Sequence, residues 1–554
     1  MSQLSSTVEL RFVLADYKSE TLRMSKQIRR EHRFGAHASL RADLRYPACV
    51  IALSLSFLAI LFTPFCFIGS AQLASQQPAE TTTSARNATL VAATQDVLKE
   101  TSEIRQLSIL RPVQSSTQSR AEIERMIIKN LDEDTSPAEM HADEVTLKKL
   151  GLAPADFQYR NLMIRLLTEQ VAGYYDPKTR QFHLADWIDL DGQKPIMAHE
   201  LTHALQDQHF NLRRFEHWPK GDSDAELAAH ALIEGDATLV MARYVANNPL
   251  RALAFLKSLG AMGMSSAELD KAPRALRETL LFPYQQGLAW TRNLYKGGGW
   301  DRVSKAFTDL PQSTEQILHP EKYFAHEAPV KVTLPDITQL LNASGGSGGR
   351  GQESGISSPQ SVVSTQRSAA RINSSFVPHS SSFRHHSSLI THHSLLSLPS
   401  PSPRPPTASS TSWHRLDYDV EGEWGFYLFL DQFLKSPTES RRAAAGWGGD
   451  RFEVYEGPHG EACFISLSIW DTENDAREFF DAYVKRTELR YPAAEKLDSI
   501  GSKTPNSELQ TSRSVSWKTN EGTITVGLRG SEVLIIEGGP DLLDRGTLLK
   551  ALGQ

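Results

Sequence analysis

Hydrophobic positions change period several times along the chain, and the changes mark its organisation. Residues 1–47 are polar and basic, with Arg29, Arg30, Arg33, Arg41 and Arg45. An uncharged apolar run follows from Ala48 to about Ile68, long enough to cross a bilayer as one helix. The basic flank before it predicts a cytoplasmic N-terminus. Gly69-Ser70-Ala71 after it also suits a signal-peptidase site. Residues 48–71 are therefore expected to be a transmembrane anchor or a cleaved export segment, with the rest of the chain outside the cytoplasm. Residues 72–95, rich in Ser, Thr, Gln and Ala, read as a disordered stalk.

Helical rhythm then takes over, with patterns at about 119–131, 137–150 and 154–169, the second stopping at Gly151 as a C-cap. Val171 to Leu184 alternates with a period of two around Asp176-Pro177-Lys178-Thr179, which predicts a β-hairpin. An apolar-sided helix carries Ile196, Met197, Leu201, Ala204 and Leu205, with Pro195 suited to its first turn. Ser223-Asp-Ala-Glu226 reads as a capping box that starts a helix near Asp224, running past Glu234 to Met241. Residues 343–412 are Ser-, Pro- and His-rich and cannot bury a core. From Trp413 onwards, strand patterns at 452–455, 462–470, 513–518, 523–528 and 532–537 surround an amphipathic helix at 471–490. The fold class expected is α+β. A mostly helical domain covers 96–342, a disordered insert 343–412, and a smaller α+β domain 413–554, with 1–47 as a basic tail.

The candidate chemistry lies in His199-Glu200-Leu201-Thr202-His203. Residues four apart share one helix face, so His199 and His203 aim two imidazoles at one metal ion. Glu200 sits beside the first histidine, placed to take a proton from a water that the ion activates. A catalytic zinc takes three protein ligands and keeps one open position. Two candidates compete for third ligand. Glu234 lies in the apolar stretch Ala231-Leu-Ile-Glu234-Gly235-Asp236, and a buried carboxylate there needs a cation. His209 follows His203 by six residues, but a continuing helix turns it away from the metal. Asp222, Asp236 and His230 stand behind these two. Asp207, one turn after His203, and Asp236 are candidates to hold the free ring N–H of a ligand histidine.

The string His199-Glu-Leu-Thr-His-Ala-Leu-Gln-Asp-Gln-His-Phe210 resembles the zinc helix of the zincin metallopeptidases, and in particular a group of bacterial exported proteins of that kind. The resemblance covers about residues 95–335. It implies a zincin-like fold, one zinc per chain and hydrolysis of peptide bonds. The arrangement His199, His203 and Glu234 looks gluzincin-like. The metzincin pattern would use His209, but it has glycine where this chain has Gln206. The resemblance also implies an oxyanion donor on a later segment, for which Tyr284 and His319 are candidates. A peptide or protein substrate is expected to pair as an added strand beside the hairpin that carries Tyr174 and Tyr175. The rival expectation is a catalytically inactive zincin-like binding protein of the cell envelope.

Composition narrows this further. Of 554 residues, 40% are hydrophobic and 22% charged, with a net charge of −6. That balance suits a globular protein and offers no polyelectrolyte surface for nucleic acid. Cys49 and Cys66 lie in the apolar run, which leaves Cys463 alone in the folded part and excludes an intradomain disulfide framework.

Overall fold

The computed structural model describes residues 79–187, 190–215, 218–252, 267–345, 412–497 and 513–540. The chain divides into two compact units, Met1–Ala88 and Thr89–Gln554. The basic tail 1–47, the apolar segment 48–71 and nearly all of the insert 343–412 lie outside the described residues. Among the described residues no helix is long and apolar enough to cross a membrane. The long helices carry charges along their length and turn their apolar faces to the core. The expected single-pass anchor is corrected to that extent: no described helix meets the requirement for a membrane span.

The architecture is α+β, with a mainly helical first part and a sheet-based C-terminal part. Helix α1 (Ala79–Arg105) runs through the segment expected to be a disordered stalk. Leu90, Thr94, Val97, Leu98, Thr101 and Arg105 are buried at the spacing of one helix face. The polar composition around them had masked that stripe. Helices α2 (Arg120–Asp134) and α3 (Pro137–Lys149) each open on a capping box, from Ser119 with Glu122 and from Ser136 with Glu139. The chain leaves α3 through Gly151, whose φ of 70° is the left-handed turn expected of a C-cap. Helix α4 (Tyr159–Gln170) leads into the hairpin.

The hairpin consists of β2 (Gly173–Asp176) and β3 (Gln181–Ala185), antiparallel with Tyr175 opposite Phe182. The Asp176 carboxylate accepts from the Lys178 and Thr179 backbone N–H groups at 2.7 and 2.9 Å, which fixes the turn. Strand β1 (Gln114–Gln118) pairs parallel with β3, giving the order β1-β3-β2. Helix α5 (Leu190–Phe210) packs against β2 and begins more than a turn before Pro195, so that proline is inside the helix and not at its start. Helix α6 (Ser223–Ala246) begins where expected, but its capping box does not form. The Ser223 backbone N–H is instead held by the Asp419 carboxylate at 2.9 Å.

Helix α7 (Arg274–Ala306), broken at Gly298 and Gly299, crosses α6 with backbones in contact. A Cβ on Gly235 would lie 2.2 Å from the Gly287 carbonyl oxygen, and one on Gly287 would lie 2.2 Å from the Ala231 carbonyl oxygen. Glycine inside a helix costs about 1 kcal/mol; here it permits a crossing that a side chain would block. Short helices α8 (Thr314–Leu318), α9 (Pro320–Phe324) and α10 (Thr338–Gly345) complete the first part.

The C-terminal part is an antiparallel seven-stranded sheet in the order β4-β5-β6-β10-β9-β8-β7. Its strands are β4 (His414–Asp419), β5 (Trp447–Glu456), β6 (Ala462–Trp470), β7 (Glu495–Leu497), β8 (Arg513–Thr519), β9 (Gly522–Arg529) and β10 (Glu532–Gly538). Helices α11 (Gly422–Leu434), α12 (Pro437–Ala444) and α13 (Glu473–Arg490) cover it. One hydrophobic cluster runs from Leu232, Phe282 and Trp290 into Phe426, Phe464, Phe479 and Val526, so the two parts share a core. Phe282 and Trp424 meet across the junction at 4.8 Å between ring centroids. The Arg486 guanidinium donates to the Leu150 carbonyl at 2.7 Å.

Candidate metal centre

Helix α5 lies between the three-stranded sheet and α6, so its residues from Met197 to Asp207 are buried on all sides. Its polar residues therefore need partners inside the protein. His199, Glu200 and His203 are only 8%, 6% and 6% exposed. Helix α6 packs along α5 and delivers Glu234. The Glu234 carboxylate is 3.0 Å from His199 Nε2 and 3.5 Å from His203 Nε2, and the two Nε2 atoms are 3.1 Å apart. Among the described residues, these three side chains form the group able to share one ion. Four ligands placed tetrahedrally around zinc at about 2.0–2.1 Å stand roughly 3.3 Å from one another. The observed triangle has that size, and two imidazoles with a carboxylate are a donor set zinc accepts.

The electrostatics follow from burial and mutual proximity. Burial alone would lower the His203 pKa, but the Glu234 carboxylate outweighs it and lifts the ring to about 9. Burial likewise pushes the Glu234 carboxyl upward, but His203 and His199 hold it well below the usual carboxylate range. The cluster is thus built around positive charge. Glu200 is the opposite case: burial raises its pKa, and the two histidines only partly offset this. Its carboxylate accepts from the Tyr175 backbone N–H on β2 at 3.0 Å. The hairpin therefore orients this carboxylate beside the His199, His203 and Glu234 cluster.

Tyr284 also belongs to this site. The α6–α7 crossing at Gly235 and Gly287 brings it alongside, its ring stacked on His199 at 6.1 Å between centroids. The residue is 38% exposed; desolvation of its hydroxyl, then the charges of Glu234 and Glu200, raise its phenol pKa above the ordinary value, so the hydroxyl remains a donor. His230 lies one helical turn before Glu234 and is held neutral by burial, which lowers its pKa to about 4.

A family model described as a domain of unknown function, DUF8575, matches residues 410–547. The match covers the C-terminal part and none of the residues of this site. No curated protein matches the sequence. A solved structure from Chloroflexus aurantiacus, described as a "putative hydrolase with a novel fold", is similar over 45% of this chain and 92% of that one, at 17% identity and a TM-score of 0.30. At that level of likeness neither fold nor activity transfers.

Other expected positions are placed elsewhere. His319, at the joint of α8 and α9, is not brought to the site; its Nε2 pairs with the Glu423 carboxylate of α11 at 3.0 Å. His209 turns away along α5, and its Nε2 meets the Ser108 carbonyl at 2.8 Å. Asp207 does not reach His203. It accepts from the Tyr175 hydroxyl at 3.0 Å and pairs with Arg111 at 2.5 Å. Asp222 stands at the N-cap position of α6 without a side-chain capping hydrogen bond, far along that helix from Glu234. Asp236 does not serve His199 but pairs with Arg105 at 2.6 Å. The partner of His203 is Gln206, which the sequence offered only as a departure from a glycine pattern. A signal was nonetheless present, since residues three apart on a helix are neighbours.

Proposed function

We propose that this chain is a zinc-dependent peptidase of gluzincin type. His199, His203 and Glu234 hold one ion, and Glu200 is the general base. The observation that carries this reading is the convergence of three donor atoms from two helices, α5 and α6, at tetrahedral spacing beside the buried Glu200 carboxylate of α5. Zinc, when bound, supplies Lewis acidity, activating a water and polarising the scissile carbonyl. Glu200 would take the proton of the attacking water and pass it to the leaving amine. Tyr284 donates its hydroxyl hydrogen to the carbonyl oxygen as negative charge develops there. The substrate is a peptide or protein, held extended beside β2, the strand whose Tyr175 N–H already orients Glu200.

The test uses the full-length untagged chain. After dialysis it is expected to retain about one zinc, lost in His203→Ala, and to cleave members of a peptide library. Glu200→Gln is expected to keep the zinc and lose about 10²–10⁴-fold in turnover. A chain without zinc, or a Glu200→Gln variant as active as wild type, overturns the reading. Zinc uptake with no cleavage by either form favours a zincin-like binding protein.

A further inference from the structure

The geometry points to Gln206 as the residue that positions both ligand-bearing helices, by fixing the ring of His203 and the turn of α6 that carries Glu234. This rests on the metal-site reading above. Gln206 is fully buried on α5, three residues after His203. Its Nε2 lies 3.0 Å from the Ile233 carbonyl oxygen and 3.0 Å from Asp236 Oδ2. Both are acceptors, and an amide nitrogen carries two hydrogens and no acceptor site. The orientation of the amide is thereby set. Its Oε1 then faces His203 Nδ1 at 2.9 Å, and an oxygen there requires Nδ1 to carry the proton. When an ion displaces the proton of the other nitrogen, the lone pair of the ring falls on Nε2, the atom that converges with His199 and Glu234.

The chain of contacts continues outward. Asp236 Oδ1 pairs with Arg105 Nε at 2.6 Å, both side chains fully buried. Arg105 donates to Ser304 Oγ at 3.1 Å, and its guanidinium lies over the Trp300 ring at 4.7 Å. The relay therefore links α5, α6 and α1 through fully buried residues and reaches α7 at the half-buried Ser304. Ile233 and Asp236 flank Glu234 on α6, so one amide tethers the backbone just before that ligand and the side chain just after it. A carboxylate at 206 would accept from His203 but has no hydrogen for Ile233 or Asp236, and it would face Asp236 charge to charge. A leucine would do neither job. Among side chains of this length the pattern selects glutamine.

The experiment compares the full-length chain with Gln206→Leu and Gln206→Glu. Each is stripped with a chelator and titrated with Zn²⁺ against a chromophoric competitor, then with Co²⁺ while its visible d–d absorption is followed. Outer-shell partners of this kind change metal affinity by about 10–100-fold. Both variants are expected to bind zinc that much more weakly and to give an altered cobalt spectrum, which packing alone would not move. Gln206→Glu keeps the side-chain shape and guards against a leucine variant that fails to fold. Wild-type affinity and an unchanged spectrum in both variants overturn the role of Gln206 while leaving the metal site standing. A wild-type chain that takes up neither ion overturns the metal-site reading, and the positioning role with it.

Discussion

Tyr284 and His319 are chemically similar candidates from sequence, and the structure separates them. Tyr284 stacks on His199, whereas His319 pairs with Glu423 at the junction with α11. Tyr284→Phe is expected to keep zinc and lower kcat about 10²-fold with little change in KM, the cost of removing one oxyanion donor. His319→Leu is expected to leave kcat alone and to destabilise the fold by about 1–3 kcal/mol, because the buried Glu423 carboxylate loses its partner. Steady-state kinetics and thermal unfolding of the two variants distinguish these outcomes, and exchanged effects would refute the assignment of Tyr284. At this scale His199, Glu200 and His203 were legible, because a spacing of four on a helix is local information. Gln206 was not, because its role depends on Ile233 and Asp236, about thirty residues away and in contact only through tertiary packing. The same applies to His319, whose partner is Glu423, a residue of the C-terminal part.

Elements whose signal is local matched their expected spans: the hairpin around Asp176–Thr179, the helices opened by Ser119 and Ser136, and β6 at Ala462–Trp470. Those set by distant partners did not. Helix α1 was hidden by its Ser, Thr and Ala content, strand β4 exists because β5 offers it an edge, and no local rule gives the order of the seven-stranded sheet. Gly235 shows both sides of this. Inside a helix it marks a close approach, and the element it meets is α7, remote in sequence. That crossing sets Tyr284 beside Glu234. In Gly235→Ala the added Cβ meets backbone and not a yielding side chain, so α6 and α7 must separate. Overpacking of this kind costs about 1–3 kcal/mol. The expected result is a lower Tm together with weakened zinc binding and a loss of kcat like that of Tyr284→Phe. A variant as stable and active as wild type would show that the crossing does not control the site.

The first part and the C-terminal part share a core, and one corner of their junction, between α3 and β4, gathers acidic groups. Asp143 and Glu139 of α3 face Asp417 and Asp419 of β4, and Lys220 lies 3.9 Å from both Glu139 and Asp417. Burial, then Asp417, Asp419 and Glu139, push the Asp143 carboxyl up to about 8, with Lys220 opposing. Burial, then Asp419, raise Glu226 at the start of α6 to about 9. Both groups hold a proton in the folded chain at neutral pH, whereas unfolded carboxyls release theirs near about pH 4. The native state thus binds more protons than the unfolded state between those limits, and stability falls as pH rises. The contribution is complete below about pH 4 and is lost progressively up to about pH 8–9. Carboxyls held low by cations, such as Glu537 between Arg486 and Arg490, act with the opposite sign but only in the acid range. Across pH 5.5 to 8.5 the Tm of the full-length chain is therefore expected to decrease. Glu226→Gln, a neutral mimic of the protonated acid, should flatten part of that slope and raise Tm relative to wild type at pH 8.5. Differential scanning calorimetry at the two pH values measures both effects. A Tm that rises with pH, or a slope unchanged in Glu226→Gln, would mean that this junction stays solvated and ionised, and that the two parts are held together by their shared apolar core without a protonated seam.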